Sequence, residues 1–180
     1  MKNEFNLLVH TCCAPCLTYM EKYFNEHDIN YTSFFYNPNI HPYKEYEKRL
    51  ETLKDFLIKR KVRLIHLPSF MQKKYEENKN NCDFCYENRL EITAKYAREH
   101  GFTHFTSTLF ISPYQAHEQM KEICIKLAIK YKIKFYYNDF RPYFREGQSL
   151  AREANLYRQK YCGCINSYNS SKFKDKITWD

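Results

Sequence analysis

Residues 5–16 read Phe5-Asn6-Leu7-Leu8-Val9-His10-Thr11-Cys12-Cys13-Ala14-Pro15-Cys16. Phe5 to His10 is an apolar run of strand length and reads as a buried strand. A helix follows from about Pro15 to Glu26, and Pro15 stands near its start, where a missing N–H does no harm. Three cysteines therefore occupy a strand-to-helix turn. Working outward, strands are expected at Tyr31–Tyr36, Val62–Leu67, Phe102–Phe110 and Lys134–Tyr137. Helices are expected at Tyr43–Lys61, at Tyr86–His100 closed by Gly101 at a cap position, at Gln115–Tyr131, and from about Ser149 to Tyr161. Strands alternating with helices predict a three-layer α/β fold with a mostly parallel five-stranded sheet, plus a small helical insertion over Met71–Glu87. In such sheets a site forms at the carboxyl ends of the strands, near the point where strand order reverses. Residues 1–168 are expected to form one α/β metalloenzyme domain and residues 169–180 a C-terminal tail.

The chain has 180 residues, 43% hydrophobic and 28% charged, as a soluble globular domain has. No apolar run approaches the roughly 20 residues of a membrane span, and Met1–Asn6 lacks signal-peptide architecture, so a cytoplasmic protein with no membrane partner is expected. The net charge of +8 suits a polyanion such as nucleic acid, although a lysine-rich solvated surface gives the same number. Three glycines, Gly101, Gly147 and Gly163, lie far apart, which excludes a phosphate-binding Walker loop and a dinucleotide fingerprint.

Eight cysteines are many for a chain of this class, and seven of them fall in clusters. Disulfides are rare in the cytosol, so such clusters point to metal or redox chemistry. Cys12, Cys13 and Cys16 open a helix, and helix N-termini favour thiolate, the form that binds metal. Cys82 and Cys85 are three apart and share one helical face. Cys162-Gly163-Cys164 turns tightly on its glycine. Cys124 instead lies on the apolar stripe Met120, Ile123, Leu127, Ala128 and Tyr131 and reads as a core residue. Four thiolates suit either zinc or an iron–sulfur cluster. Seven exceed what zinc needs, and adjacent Cys12 and Cys13 look awkward around one tetrahedral ion. Two other readings stay open: a thiol–disulfide oxidoreductase using Cys13 and Cys16, and a zinc-stapled RNA-binding module.

Five stretches together resemble the QueH family of epoxyqueuosine reductases: LLVHTCCAPC at 7–16, FFYNPNIHPYKEYEKR at 34–49, CDFCYENRL at 82–90, STLFISPY at 107–114, and YFREG…YRQKYCGC over 143–164. The resemblance implies a Rossmann-like fold of the HUP type and an oxidoreductase of tRNA processing, which converts epoxyqueuosine to queuosine in the anticodon loop in the last step of queuosine biosynthesis. It places the ligands of a [4Fe-4S] cluster on Cys12, Cys13, Cys82 and Cys85. Cys162 and Cys164 fall on a pair described as a redox-active disulfide; with Cys16 or Asp83 nearby the pair could instead hold a second metal, a mononuclear iron. No ATP use is expected, because the Cys12-Cys13 turn stands where related folds carry a glycine-rich loop, and no cobalamin. The electron donor is unidentified.

Removing an epoxide oxygen needs an acid at the leaving oxygen, and His10, Asp83, His41 and Tyr114 are the candidates. Asn37, Asn39 and His41 follow the second strand and are candidate substrate contacts, although Asn and Pro also favour plain turns. Phe140-Arg141-Pro142-Tyr143-Phe144-Arg145 interleaves aromatic and basic residues, as RNA-loop readers do; Arg141 and Arg145 are its candidate tRNA contacts, with Arg152, Arg158 and Lys160 on the helix after it.

Overall fold

The computed structural model describes residues 5–179. Residues 1–4, on which much of the signal-peptide reading rests, and residue 180, the last of the expected tail, lie outside the described residues. Five strands, β1 (Leu7–His10), β2 (Tyr31–Phe35), β3 (Leu64–His66), β4 (His104–Ser107) and β5 (Lys134–Phe135), form one sheet in the order β3-β2-β1-β4-β5. Every pairing is parallel. β1 is central: Leu7 to His10 pair with Tyr31 to Phe34 on one side and with His104 to Ser107 on the other. All four of its residues are buried, as expected of a strand covered on both faces. The chain builds the sheet outward through β2 and β3, then returns to the far side of β1 for β4. The crevice beyond the ends of β1 and β4 is thus the topological switch point.

The principal helices are α1 (Ala14–Glu26), α2 (Tyr43–Arg60), α3 (Gln72–Glu77), α4 (Cys82–Glu99), α5 (His117–Tyr131), α6 (Phe144–Glu153) and α7 (Ile165–Ser170). α1 packs on α2 and α6, while α4 packs on α5 and β1. The expected fold class is the one observed, with α3 and the first turn of α4 in place of the expected insertion. Cys124, on α5, is fully buried in the core.

Several boundaries differ from expectation, each for a local reason. The expected fourth strand stops at Ser107, whose hydroxyl accepts from the Leu109 N–H and turns the chain into a 3-10 turn over Thr108–Ile111. α4 begins at Cys82 rather than Tyr86 because the Asn81 side chain accepts from the Phe84 N–H, a capping bond. The helix expected over 149–161 spans 144–153 instead: Asn155 takes a left-handed conformation (φ 51°) and ends it. Arg158 and Lys160 therefore lie beyond that helix. α7 runs across position 169, where the tail is expected to begin, and Trp179 folds back onto α2, where its Nε1 donates to Glu45. No helix of the described residues is long and apolar enough to cross a membrane.

Candidate metal centre

Cys12 stands two residues past the end of β1, Cys13 caps the N-terminus of α1, and Cys16 lies in the first turn of that helix. This strand-to-helix turn brings all three buried sulfurs within 4.8 Å of one another. Among the described residues no other three or more His, Cys, Asp or Glu side chains gather this closely. Cys12 Sγ lies 3.7 Å from Cys13 Sγ. With metal–sulfur bonds of about 2.3 Å, the edge of a tetrahedron is about 3.8 Å. The adjacent pair is therefore well spaced for one ion, contrary to the expectation that neighbouring cysteines are awkward there. Thr108, just past β4, holds Cys12 from the other side of the switch point: its Oγ1 accepts from the Cys12 N–H at 3.1 Å and lies 3.3 Å from its sulfur. Gln159 Nε2 donates to Cys13 Sγ at 3.0 Å and lies 3.7 Å from Cys16 Sγ.

Hydrogen bonding with the Cys13 and Cys16 thiols, and then with Thr108, holds the Cys12 thiol well below its usual pKa despite burial. Burial, and the bond to Cys12, push Cys13 up; Cys12 and Cys13 together push Cys16 up. Three converging soft donors with no carboxylate among them suit zinc or iron in thiolate coordination.

The remaining cysteines form a second, looser group. Cys82 is exposed and Cys85 half-buried in the first turn of α4; Cys162 is exposed, and half-buried Cys164 caps α7, its sulfur accepting from the Ser167 N–H at 3.3 Å. Burial raises the pKa of Cys85, and the charges of Cys162 and Cys164 raise it further. Cys82 is raised by burial and then by Cys162 and Cys85. The start of α4 and the segment that leads into α7, distant in sequence, thus bring these four thiols into one electrostatic environment. Cys82 and Cys85, expected to share ligation with Cys12 and Cys13, lie with this outer group, whereas Cys16, outside that expected set, completes the inner one.

Arg89 stands between the groups. It is buried, and its Nη2 donates to Cys85 Sγ at 3.1 Å. Burial opposes its charge, yet Cys85, Tyr75, Cys162 and Cys12 hold it protonated, so it is felt by both sets of thiols. Among the described residues, three buried polar atoms around the cysteines have no hydrogen-bond partner: Asn39 Oδ1, Tyr75 Oη and Gln159 Oε1.

His10 is buried, with Nδ1 2.9 Å from Ser107 Oγ and Nε2 3.1 Å from both the Tyr36 carbonyl and Asn37 Oδ1. Burial, then the Arg89 cation, lowers its pKa to about 4. Asn37 also donates to the Thr11 carbonyl at 2.9 Å. These two residues bind β1 to β2 and β4, and the Asn37 amide is spent inside the scaffold. His41 is likewise buried. Its Nδ1 accepts from the Ile165 N–H, so its Nε2 carries the proton and donates to the Pro38 carbonyl at 2.9 Å. Burial lowers its pKa to about 4. Asp83 is exposed and accepts from Gln119. Tyr114 is 83% exposed, its ring edge-on to Phe144. Arg141 is held in a fork by Asp139 at 2.9 and 2.7 Å, whereas Arg145 is exposed and in no ion pair among the described residues.

The residues missed in the sequence are the buried partners Arg49, Arg89 and Thr108 and half-buried Gln159. A signal existed for two of them. Arg49 is in phase with Tyr46, Leu50 and Leu53, and Arg89 with Tyr86, Leu90 and Thr93, and a cation on an apolar stripe must have a buried partner. Nothing local marks Thr108 or Gln159.

Comparison with known proteins places this geometry. The family model described as "Epoxyqueuosine reductase QueH" matches residues 7–170. A protein of that name from Dehalococcoides mccartyi is 37% identical over 166 residues, covering 89% of this chain and 91% of its own. Another of that name, from Thermotoga maritima, is 34% identical and covers 89% of each chain. Among solved structures, the U34-tRNA thiolase NcsA from Methanococcus maripaludis, determined with its [4Fe-4S] cluster, superposes with a TM-score of 0.63 at 16% identity, over 92% of this chain and 62% of that one. At that identity the likeness is one of fold, and this chain spans somewhat under two thirds of the thiolase. A match over nearly the whole chain, carrying all three cysteine motifs, settles the affiliation: this chain belongs to the epoxyqueuosine reductase QueH family.

Proposed function

We propose that the chain is an epoxyqueuosine reductase acting on tRNA. The reaction takes two electrons and two protons, breaks both carbon–oxygen bonds of the epoxide and releases water as the alkene forms. Family membership and the buried thiol triad at the switch point carry this reading together. The cofactor assigned to it is a [4Fe-4S] cluster with Cys12, Cys13, Cys82 and Cys85 as ligands. When bound, such a cluster supplies low-potential electrons one at a time. Arg89, on which thiols of both groups act, would offset the negative charge of thiolate ligands. Cys16 then stands free to join Cys162 and Cys164 around a second, mononuclear iron; the competing role for Cys162 and Cys164 is a dithiol–disulfide pair that stores electrons.

The chain's own residues divide the remaining work. Neutral His10 and Asn37 fix the turn that bears Cys12. Asn39, with a buried and unpartnered carbonyl oxygen, is the substrate contact of choice. Asp83 and Tyr114, exposed near the outer thiols and on the following loop, are the candidate acids at the epoxide oxygen. Arg145 meets the anticodon stem-loop, with Arg141 contributing where Asp139 yields it. The site of action is the cytoplasm, where tRNA is found, and the electron donor is a separate reductant.

The deciding experiment is anaerobic turnover of epoxyqueuosine-containing tRNA by the iron-reconstituted chain, beside a Cys82→Ser variant. Queuosine formation by the parent and its loss in the variant are expected. Equal turnover by both rejects the assigned ligands, and none by either rejects the function.

A further inference from the structure

Glu45 and Arg49 lie one turn apart on α2, their side chains 0% and 1% exposed, with Arg49 Nε donating to Glu45 Oε1 at 2.7 Å. A buried pair of this kind contributes little net stability, because desolvation offsets the attraction. What it offers is direction. The other two nitrogens of Arg49 reach the segment that carries the last cysteines: Nη1 donates to the Cys162 carbonyl at 3.0 Å and Nη2 to the Tyr161 carbonyl at 3.1 Å. The guanidinium also lies against the Tyr161 ring, 5.5 Å from its centroid. Gly163 stands at φ +143°, and a Cβ there would come within 3.2 Å of Arg49 Nη1, so the guanidinium fills the space a side chain would take. The same segment is tied from behind by His41, whose N–H donates to the Gly163 carbonyl at 2.7 Å.

Glu45 is saturated in turn. Its Oε2 accepts from Tyr157 Oη at 2.5 Å and from Trp179 Nε1 at 2.6 Å. Trp179 lies outside residues 7–170, the part that matches the family model. A tryptophan in the C-terminal segment is thus linked to the backbone of Cys162 through three successive hydrogen bonds, by way of Glu45 and Arg49.

We propose that Glu45 and Arg49 are positioning residues that hold the Cys162-Gly163-Cys164 segment in place, and that Trp179 locks the pair from the C-terminal segment. The inference rests on the proposed function only for what those thiols are used for; the clamp itself is a matter of geometry.

The test is alkylation of the reduced, full-length protein by iodoacetamide, followed peptide by peptide by mass spectrometry. Cys164, half-buried in the clamped segment, reports local release. Cys124, fully buried on α5 and remote in sequence from every cluster, reports global opening. Trp179→Phe keeps an aromatic ring and removes the donor. It is expected to raise the Cys164 rate about tenfold with Cys124 unchanged, as loss of a hydrogen bond to a charged group releases a local unit. Arg49→Lys keeps the charge and loses the planar fork, so it raises Cys164 selectively as well. An unchanged Cys164 rate in Trp179→Phe overturns the proposal, and so does a Cys124 rate that rises in step, which would make the contact merely structural. Neither tRNA nor epoxyqueuosine enters the assay, so its failure and a failure of the functional reading are separately visible.

Discussion

Cys12 and Cys124 are both buried cysteines, and their surroundings set them apart. Cys12 meets two further thiols and a hydroxyl; Cys124 meets only apolar neighbours on α5, and burial alone raises its pKa. Cys12→Ser is therefore expected to lower bound iron severalfold in the anaerobically purified protein. Cys124→Ala should keep its iron and lose about 1 kcal/mol of stability. Equal iron loss in both, measured by elemental analysis, would count against the triad. His41 makes a second residue-scale prediction. Its pKa falls from 6.5 in the unfolded chain to about 4 in the fold, so the unfolded state binds the extra proton between those values. Stability contributed by the neutral ring is complete above pH 6.5 and is lost as pH falls toward 4, a difference on the order of 3 kcal/mol. Urea midpoints at pH 7 and pH 5 should drop steeply for the parent chain and less for His41→Gln. Matching slopes would show that the ring is not held neutral.

At the scale of elements, the cysteine motifs depend on helix starts. Cys13 caps α1, Cys82 and Cys85 lie in the first turn of α4, and Cys164 caps α7. The sulfurs thus sit where backbone N–H groups lack helical partners and favour negative charge. The α4 start is fixed by Asn81, whose side chain accepts from the Phe84 N–H at 3.0 Å. Asn81→Ala is expected to cost about 1 kcal/mol in thermal or urea unfolding, with Asn81→Asp close to the parent. Fraying there also separates Cys82 from Cys85, so the same variant should retain less iron. Full stability in Asn81→Ala would mean that neighbouring contacts, not the cap, hold the turn.

At the scale of the whole molecule, the net charge of +8 is spread over a surface on which ion pairs neutralise part of the basic set. Lys22, Lys130 and Arg141 each meet a carboxylate, whereas Arg145 has none among the described residues. Reversing Arg145 to Glu should weaken tRNA binding about tenfold at low salt and flatten its dependence on log salt by about one to two charges. Arg141→Glu should do less, because Asp139 already offsets that charge. Equal losses at the two positions, read by binding titrations at several salt concentrations, would overturn this ranking.

Much was legible before any fold was known, because it is written in local pattern. The apolar run ending at His10, the alternation of strands with helices, and the spacing of seven cysteines depend on side-chain periodicity and motif chemistry alone, and they placed the site at the end of β1. Helix ends were less legible: Asn155 and Asn81 act through one backbone conformation and one capping bond, which carry little weight in a periodicity. The grouping of thiols was legible only within each motif, as for Cys12, Cys13 and Cys16 on one turn. That Cys82 and Cys85 share an electrostatic environment with Cys162 and Cys164 depends on how α4 and the 161–165 segment come together in the fold. The tertiary structure alone decided as well that Arg49, Arg89, Thr108 and Gln159 surround the sulfurs. Long-range packing brings such partners together, and a buried charge is tolerated only where the complete fold supplies its hydrogen bonds.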